Sequence, residues 1–363
     1  MTRRVVVVAP GRPSLGERRR TETWHRLIEA DGAAATTVAT STVGGRLTPS
    51  PGDVGHLANG RLVPEALAWS VDAVRAEIDA VGPDLVILQT ARSAHPGLLT
   101  GAWPVVVDLV DRLSASYRQR AALARGPAAP LFRALAGAHA RTEARLLAGS
   151  SAAGVPVVLA GHGEATRSGA RWVPNLLDVS TAAPDRRREA PPFDLVFFGT
   201  LGYRPNIEAL TELDAGDPGA AGLRVLVAGQ RPPSVVADLC RARGWTLVAD
   251  FPSMSWLAEQ AAVAVAPLRS TAGIQNKVLE AALFGLPQVV TPAALDGLAP
   301  GLPCRVTDDG AALVRAAAEL VADPSAAARL ADEARHHVVA QYTVGRWRTT
   351  IESLSTGRWP VPV

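Results

Sequence analysis

The chain has 363 residues, 48% of them hydrophobic, with 32 Gly and 28 Pro. That length suits about two domains with cores of their own, and the Gly and Pro content is too low for a low-complexity chain. Apolar runs such as Ala261 to Leu268 fall well short of the ~18 residues of a spanning helix, and the opening MTRRVVVVAP lacks the apolar length and cleavage site of a secretory leader. Two cysteines, Cys240 and Cys304, exclude a disulfide framework and point to a reducing cytoplasm. A net charge of +3 admits anionic ligands without calling for nucleic acid.

Short β-branched runs alternate with amphipathic stretches. Arg4 to Ala9 holds four consecutive valines, the pattern of a parallel strand buried on both faces. A helix is expected from about Glu17 to Ala30, then strands at Ala35–Thr40, Asp84–Gln89, Pro104–Leu109 and Val155–Ala160. Helices over Val63–Ala80 and Arg112–Gly149 lie between them. The polar, Pro-rich stretch from Asp178 to Pro192 reads as a linker. Alternation then resumes, with strands at Phe193–Gly199, Leu223–Gly229, Trp245–Ala249, Ala262–Pro267 and Pro287–Thr291. Helices fall near Asn206–Asp214, Pro233–Arg243, Gln275–Phe284 and Gly310–Gln341. The pattern is α/β, with a doubly wound parallel sheet on each side of the linker and ligands at the carboxyl ends of strands. The boundaries are a first domain at 1–177, the linker at 178–192, a second domain at 193–341 and a C-terminal helix and tail at 342–363.

Of 37 Lys and Arg residues, only Lys277 is lysine. Where Arg fills every tolerant surface position, the remaining Lys is a candidate for a place that needs a compact ammonium rather than a guanidinium fork, with chance survival of one lysine as the plain alternative. It sits in the densest stretch, Val263 to Leu298. There a buried strand runs into a loop holding Arg269, Ala272 and Gly273, and a helix opening near Ile274 carries Lys277 and Glu280. Gly273 lets another group approach the backbone, and the N–H groups of a helix start attract anions. With Arg269 and Lys277 adding full charges, the arrangement suits a diphosphate. Glu280 shares a helix face with Lys277 and can accept hydrogen bonds from a ribose diol; an ordinary surface Lys–Glu pair is the plain alternative.

The segment APLRSTAGIQNKVLEAALFGLPQVVTPAALDGL resembles the donor-binding segment of glycosyltransferase family 4, above all the branch with a GIQNKVLEA motif. The likeness extends to WPVVVDLVDRLSASY at Trp103–Tyr117, WVPNLLD at Trp172–Asp178 and FFGTLGYRPNIEAL at Phe197–Leu210, and so covers most of the chain. The resemblance implies a GT-B fold: two Rossmann-like domains facing a cleft, acceptor on the first and nucleotide-sugar on the second, with the C-terminal helix crossing back to the first. It makes Arg269 and Lys277 ligands of the donor diphosphate and Glu280 a ligand of the ribose. Gly273 and Ile274 would present backbone to sugar or phosphate, Thr200 would line the donor site, and Phe251 in the DFPSM loop would contact the base. One departure stands out: most of the family has a Glu eight residues before the second Glu, to hold the donor sugar, and that position here is Ala272.

On the acceptor side, Gly16 precedes the run Glu17-Arg18-Arg19-Arg20, either a loop facing the cleft or a capped surface helix. Asp108 and Asp111 fall where a strand ends at the expected cleft, and only Asp111 matches the family's acceptor-side pattern. Asp111 could bind acceptor hydroxyls or assist proton removal, and an N-cap of the following helix is the plain alternative. Asp111, Arg269 and Lys277 form the candidate catalytic set. Arg112 to Arg145 holds seven Arg against one acid, Glu143; a solvated face is the default, with an anionic membrane or a phosphorylated acceptor as the other reading. Gly161-His162-Gly163-Glu164 lacks the third glycine of a dinucleotide turn. His336-His337 reads as a surface pair rather than a metal site, and no Asp-x-Asp occurs, against the metal-dependent GT-A class.

The expectation is thus a cytoplasmic glycosyltransferase, extending to peripheral contact with the inner membrane face. It would move a hexose or deoxysugar from a nucleoside diphosphate to a small-molecule or lipid-linked acceptor in natural-product or cell-envelope synthesis. Retention, no metal and no cofactor beyond the nucleotide-sugar are expected, with no nucleic-acid partner and the oligomeric state open. The rivals are a catalytically inert GT-B scaffold that binds a nucleotide or partner, and a nucleotide-sugar 2-epimerase.

Overall fold

The computed structural model describes residues 2–11, 13–40, 51–123, 126, 128–152, 155–181, 191–271 and 273–356. The chain separates into two compact units, one comprising residues 1–175 and 344 onwards, the other residues 176–343 apart from 272–274, which group with the first. Each unit is built on one parallel six-stranded sheet.

In the first unit the strands are β1 (Arg4–Ala9), β2 (Ala34–Ala39), β3 (Leu85–Gln89), β4 (Val105–Asp108), β5 (Val157–Leu159) and β6 (Arg171–Trp172), in the order β2-β1-β3-β4-β5-β6. Val5 to Val8 are fully buried because helices cover both faces, as a parallel sheet requires. One face packs Val6, Val8, Val86, Leu88 and Val107 with Val74 and Ile78 of the helix Val71–Val81. The helix Leu15–Ala30 starts two residues before its expected start because Ser14 and Glu17 form a reciprocal capping box. The C-terminal helices Val344–Trp347 and Thr350–Thr356 belong to this unit and pack on the Leu15–Ala30 helix. Trp347 meets the Trp172 ring edge-on at 5.1 Å.

The second unit contains β7 (Phe193–Thr200), β8 (Val225–Gln230), β9 (Thr246–Ala249), β10 (Ala261–Ala266), β11 (Gln288–Val290) and β12 (Arg305–Val306), in the order β12-β11-β10-β7-β8-β9. Its core joins Val196, Phe198, Leu226 and Ala228 to Leu257 and Ala281. Strand order reverses between β1 and β3 in the first sheet and between β7 and β10 in the second. In open α/β sheets such switch points, at the carboxyl ends of the strands, are where ligands bind.

Three expected helices are each two elements. Val63–Ala80 is a 3-10 turn, Pro64–Ala68, and then the Val71–Val81 helix, whose first turn Ser70 caps. Arg112–Gly149 is split into Leu113–Leu123 and Ala128–Ala152. Gly310–Gln341 is Gly310–Ala322 and Pro324–Tyr342, interrupted at Asp323, where Pro324 has no N–H to continue the ladder. The helices Pro51–Ala58 and Met254–Gln260 and the two-residue strands β6 and β12 were too short to leave a periodic signal. Most of the expected linker, 182–190, lies outside the described residues.

Candidate functional site

At the switch point of the second sheet, β7 ends in Gly199 and Thr200, and Arg269 follows three residues after β10. The helix Asn276–Leu283 carries Lys277 in its first turn, and Arg204–Ala215 brings Asn206 opposite it. Lys277 Nζ donates to Asn206 Oδ1 at 2.5 Å, and Asn206 Nδ2 donates to the Thr200 carbonyl at 2.8 Å. The ammonium also lies 4.5 Å from the centre of the Phe197 ring, a cation–π contact. Glycine is required beneath it: Gly199 has φ +144°, and a Cβ there would lie 3.2 Å from Lys277 Nζ and 3.1 Å from Asn206 Nδ2. In the paired register Gly199 faces Gly229, where a Cβ would strike the Gly199 carbonyl oxygen at 1.7 Å.

These partners are neutral, so the ammonium lacks compensation for the water it has lost. Although Lys277 keeps part of its surface exposed, desolvation of the amine brings its pKa down to about 7, with Glu280 on the next turn acting in the opposite direction. No side chain caps the first turn of this helix at Gln275, which leaves backbone N–H capacity for an anion. Gly273, at φ +66°, and Ile274 precede that cap. Ala272 lies outside the described residues.

Arg269 has an exposed side chain held from below. Its Nε donates to Glu212 Oε2 at 2.5 Å, and Glu212 Oε1 accepts from Gly310 N at 2.9 Å. The buried Glu212 thereby ties the arginine to the start of the Gly310–Ala322 helix. Sequence reasoning missed Glu212, Asn206 and Phe197. The only signal for Glu212 was an acid on the buried face of a helix, among Ala209, Leu210 and Leu213. Phe251 follows β9 and packs edge-on against Phe198 at 6.3 Å, so one edge of its ring is committed to the core.

In the first unit Asp108 is the last residue of β4. Its carboxylate is wholly buried and saturated: Arg20 Nε and Nη2 donate at 2.7 and 3.1 Å, Trp24 Nε1 at 2.6 Å and Val110 N at 2.9 Å. Arg20 Nη1 also donates to the Val173 carbonyl at 2.6 Å. Neither the last arginine of the Glu17–Arg20 run nor Asp108 faces solvent, because the bidentate pair is what makes burying either charge tolerable. Gly16 is an exposed residue of the Leu15–Ala30 helix with open space where a Cβ would stand.

Asp111 is three residues past β4 and half-buried. Desolvation, then the negative charges of Glu164, Glu17 and Glu143, push its carboxyl up to about 7, suited to exchanging a proton near neutrality. The capping role falls to Glu143, which accepts from Ser114 N at 3.0 Å and Ser114 Oγ at 2.6 Å. The one acid of the Arg-rich stretch is therefore buried structure. Gly161 precedes the short helix His162–Ser168. His336 Nδ1 meets the Asp332 carbonyl at 2.8 Å, and His337 is half-buried. Among the described residues no three His, Cys, Asp or Glu side chains gather as metal ligands, and no helix is long and apolar enough to cross a membrane.

Residues 192–332 match the sequence model of the glycosyl transferases group 1 family, the stretch that contains the Lys277 and Arg269 site. A search of curated protein sequences gives no match. Among solved structures, sucrose-phosphate synthase from Thermosynechococcus elongatus is similar, with a TM-score of 0.69, 15% identity and 98% of each chain covered. Anabaena HepE in complex with UDP aligns with a TM-score of 0.61 and 13% identity, over 98% of this chain and 100% of that one. AviGT4, a glycosyltransferase involved in avilamycin A biosynthesis, aligns with a TM-score of 0.60 and 15% identity over 98% of each. The chain has the two-domain, Rossmann-like GT-B fold. The family likeness lies within its second unit, over residues 192–332.

Proposed function

We propose that the protein is a glycosyltransferase of the family 4 type that takes its sugar from a nucleoside diphosphate. The observation that carries this reading is the Lys277 ammonium, set on Phe197, Gly199 and Asn206, at the switch point of the second sheet, where Arg269 follows β10. In the transfer the bond from the anomeric carbon to the diphosphate oxygen breaks. The diphosphate leaves with the bonding electron pair, and an acceptor nucleophile attacks and gives up its proton. Lys277, Arg269 and the start of the Asn276–Leu283 helix take up the leaving charge in place of a divalent ion. Thr200 lines the donor site and Glu280 holds the ribose. Asp111, near neutrality in its pKa, serves the acceptor's proton. Retention at the anomeric carbon follows the family resemblance, and HepE, solved with UDP, supports a uridine donor as the first to try.

Ala272, where most of the family has a carboxylate, favours a donor lacking the hydroxyls that a carboxylate would hold. A buried hydroxyl with no partner costs about 1–3 kcal/mol, so a deoxysugar suits this site better than a fully hydroxylated hexose. AviGT4's part in avilamycin A biosynthesis agrees with a small-molecule acceptor in a natural-product pathway. The test is calorimetric titration with uridine, thymidine, guanosine, cytidine and adenosine diphosphates, followed by mass spectrometry of transfer from a donor panel. Binding of no diphosphate would overturn the reading. Binding without turnover of any donor would make the protein an inert scaffold instead.

A further inference from the structure

Among the described residues of the first unit, two that are not glycine have positive φ: Thr90 at +70° and Val110 at +62°. They stand just past the ends of β3 and β4, where Gln89 is in register with Asp108. Left-handed backbone strains any residue with a Cβ, and a β-branched one most. Such strain persists only where surrounding bonds over-determine it, and it concentrates at functional sites.

Asp108 holds both turns. Its carbonyl accepts from Thr90 N at 2.6 Å, and its carboxylate accepts from Val110 N at 2.9 Å. The Val110 carbonyl accepts from Ala160 N at 2.9 Å, so both polar backbone groups of the strained valine are tied. The carboxylate is not free to follow a relaxing Val110, because Arg20 and Trp24 fix its two oxygens. One residue further on, Arg112 N–H donates to the Glu164 carboxylate. Asp111 is therefore carried between two pinned neighbours. The charged groups around it are Glu164 and Glu143, Glu17 of the Leu15–Ala30 helix, and Arg92 after β3. A buried ion pair is a weak source of stability, since apolar residues of like volume often serve as well. Apolar residues would offer the Val110 N–H no acceptor, so holding this turn is a task that the ion pair alone performs.

We propose that Asp108 is a positioning residue: countercharged by Arg20, it clamps Val110 in the left-handed turn that presents Asp111 to the acceptor. The inference rests on the transferase reading, in which Asp111 serves the acceptor's proton, but the turn can be tested without substrate.

The first measurement is urea denaturation of Val110→Gly and Val110→Ala, which shed nearly the same side-chain contacts. Val110→Gly should have the higher midpoint, the reverse of the order at a relaxed position. The second is a carboxyl 13C titration of the full chain labelled at aspartate, read at the resonance absent from Asp111→Asn. Its midpoint in the unaltered protein lies near 7. Asp108→Asn offers one amide oxygen to four donors, whereas Val110→Pro forbids the positive φ and leaves the Arg20 pair whole. Each should lower the midpoint by about one pH unit or more, towards the ordinary carboxylate range, while the other resonances keep their dispersion. Adding Val110→Gly to Asp108→Asn should restore most of the shift, because glycine takes the turn without a clamp. With a donor and acceptor that turn over, Asp108→Asn should lower kcat by about tenfold or more with the donor KM unchanged. No turnover by the unaltered protein would defeat the transferase reading and leave the substrate-free results standing. Val110→Ala as stable as Val110→Gly, an unmoved Asp111 midpoint in folded Asp108→Asn or Val110→Pro, no rescue by glycine, or full kcat in Asp108→Asn would each overturn the proposal.

Discussion

Each unit has a cation beside the carboxyl end of a strand, Arg20 buried and Lys277 half-buried, and the two are partnered in opposite ways. Arg20, at the end of β4, has a bidentate carboxylate in Asp108, and that carboxylate has two further donors in Trp24 and Val110. Lys277, at the end of β7, has an amide oxygen and an aromatic face. The first arrangement is electrically closed and stabilises the unit by leaving nothing to add. The second is open, because neutral partners orient an ammonium without cancelling it. A closed pair is structure; an open one is poised for an anion.

Breaking the closed pair should give the largest effect. Asp108→Ala leaves the Arg20 charge buried and unpaired, and removing one member of such a pair costs about 3–5 kcal/mol. Urea denaturation of the full chain measures this, and a loss under about 1 kcal/mol would mean that water reaches the pair. Opposite behaviour is expected at the open site. Lys277→Ala should lower diphosphate affinity by about 2–3 kcal/mol, roughly 30- to 150-fold, with no loss of thermal stability in the ligand-free protein. Lys277→Arg should recover only part, since a longer planar fork does not fit the ammonium's position; full recovery would remove the argument from the single lysine.

The pH dependence sharpens the contrast further. Lys277 has a pKa of about 7 in the folded chain against about 10.4 when unfolded. Between those values the unfolded state binds more protons, so this group's contribution to stability rises with pH. A diphosphate favours the ammonium, so binding above pH 7 should take up a proton, and affinity should decline as pH rises. Calorimetry in two buffers of different ionisation enthalpy detects that uptake, and equal apparent enthalpies would contradict it. The smallest effect is expected at Glu212. Glu212→Gln should leave the fold intact and weaken diphosphate binding by about 1 kcal/mol through looser placement of Arg269, read by the same titration.

Local pattern was legible wherever it was repeated. Valine runs marked β1, and the restart of alternation after Asp178 marked the second sheet. The loop and helix with Arg269, Gly273, Lys277 and Glu280 stood out because residues close in sequence converge on one helix start. The breaks inside long helical stretches were not legible, since apolar spacing continues across Ser70 and Asp323 while the hydrogen-bond ladder does not. Asp108 and Asp111 looked alike in VVDLVD, yet one is saturated by four donors and the other is raised to about 7.

By itself, then, the sequence determined the class of the fold, the two sheets and the segment that bears the basic cluster, because side-chain period and helix-start chemistry act over a few residues. Tertiary structure decided which charges are spent and which remain available. Arg20 and Asp108 are 88 residues apart, Lys277 and Asn206 are 71 apart, and Arg269 and Glu212 are 57 apart. No periodicity connects such positions. Only the return of parallel strands to one sheet brings them within hydrogen-bonding distance, and that distance separates a structural arginine from a binding lysine.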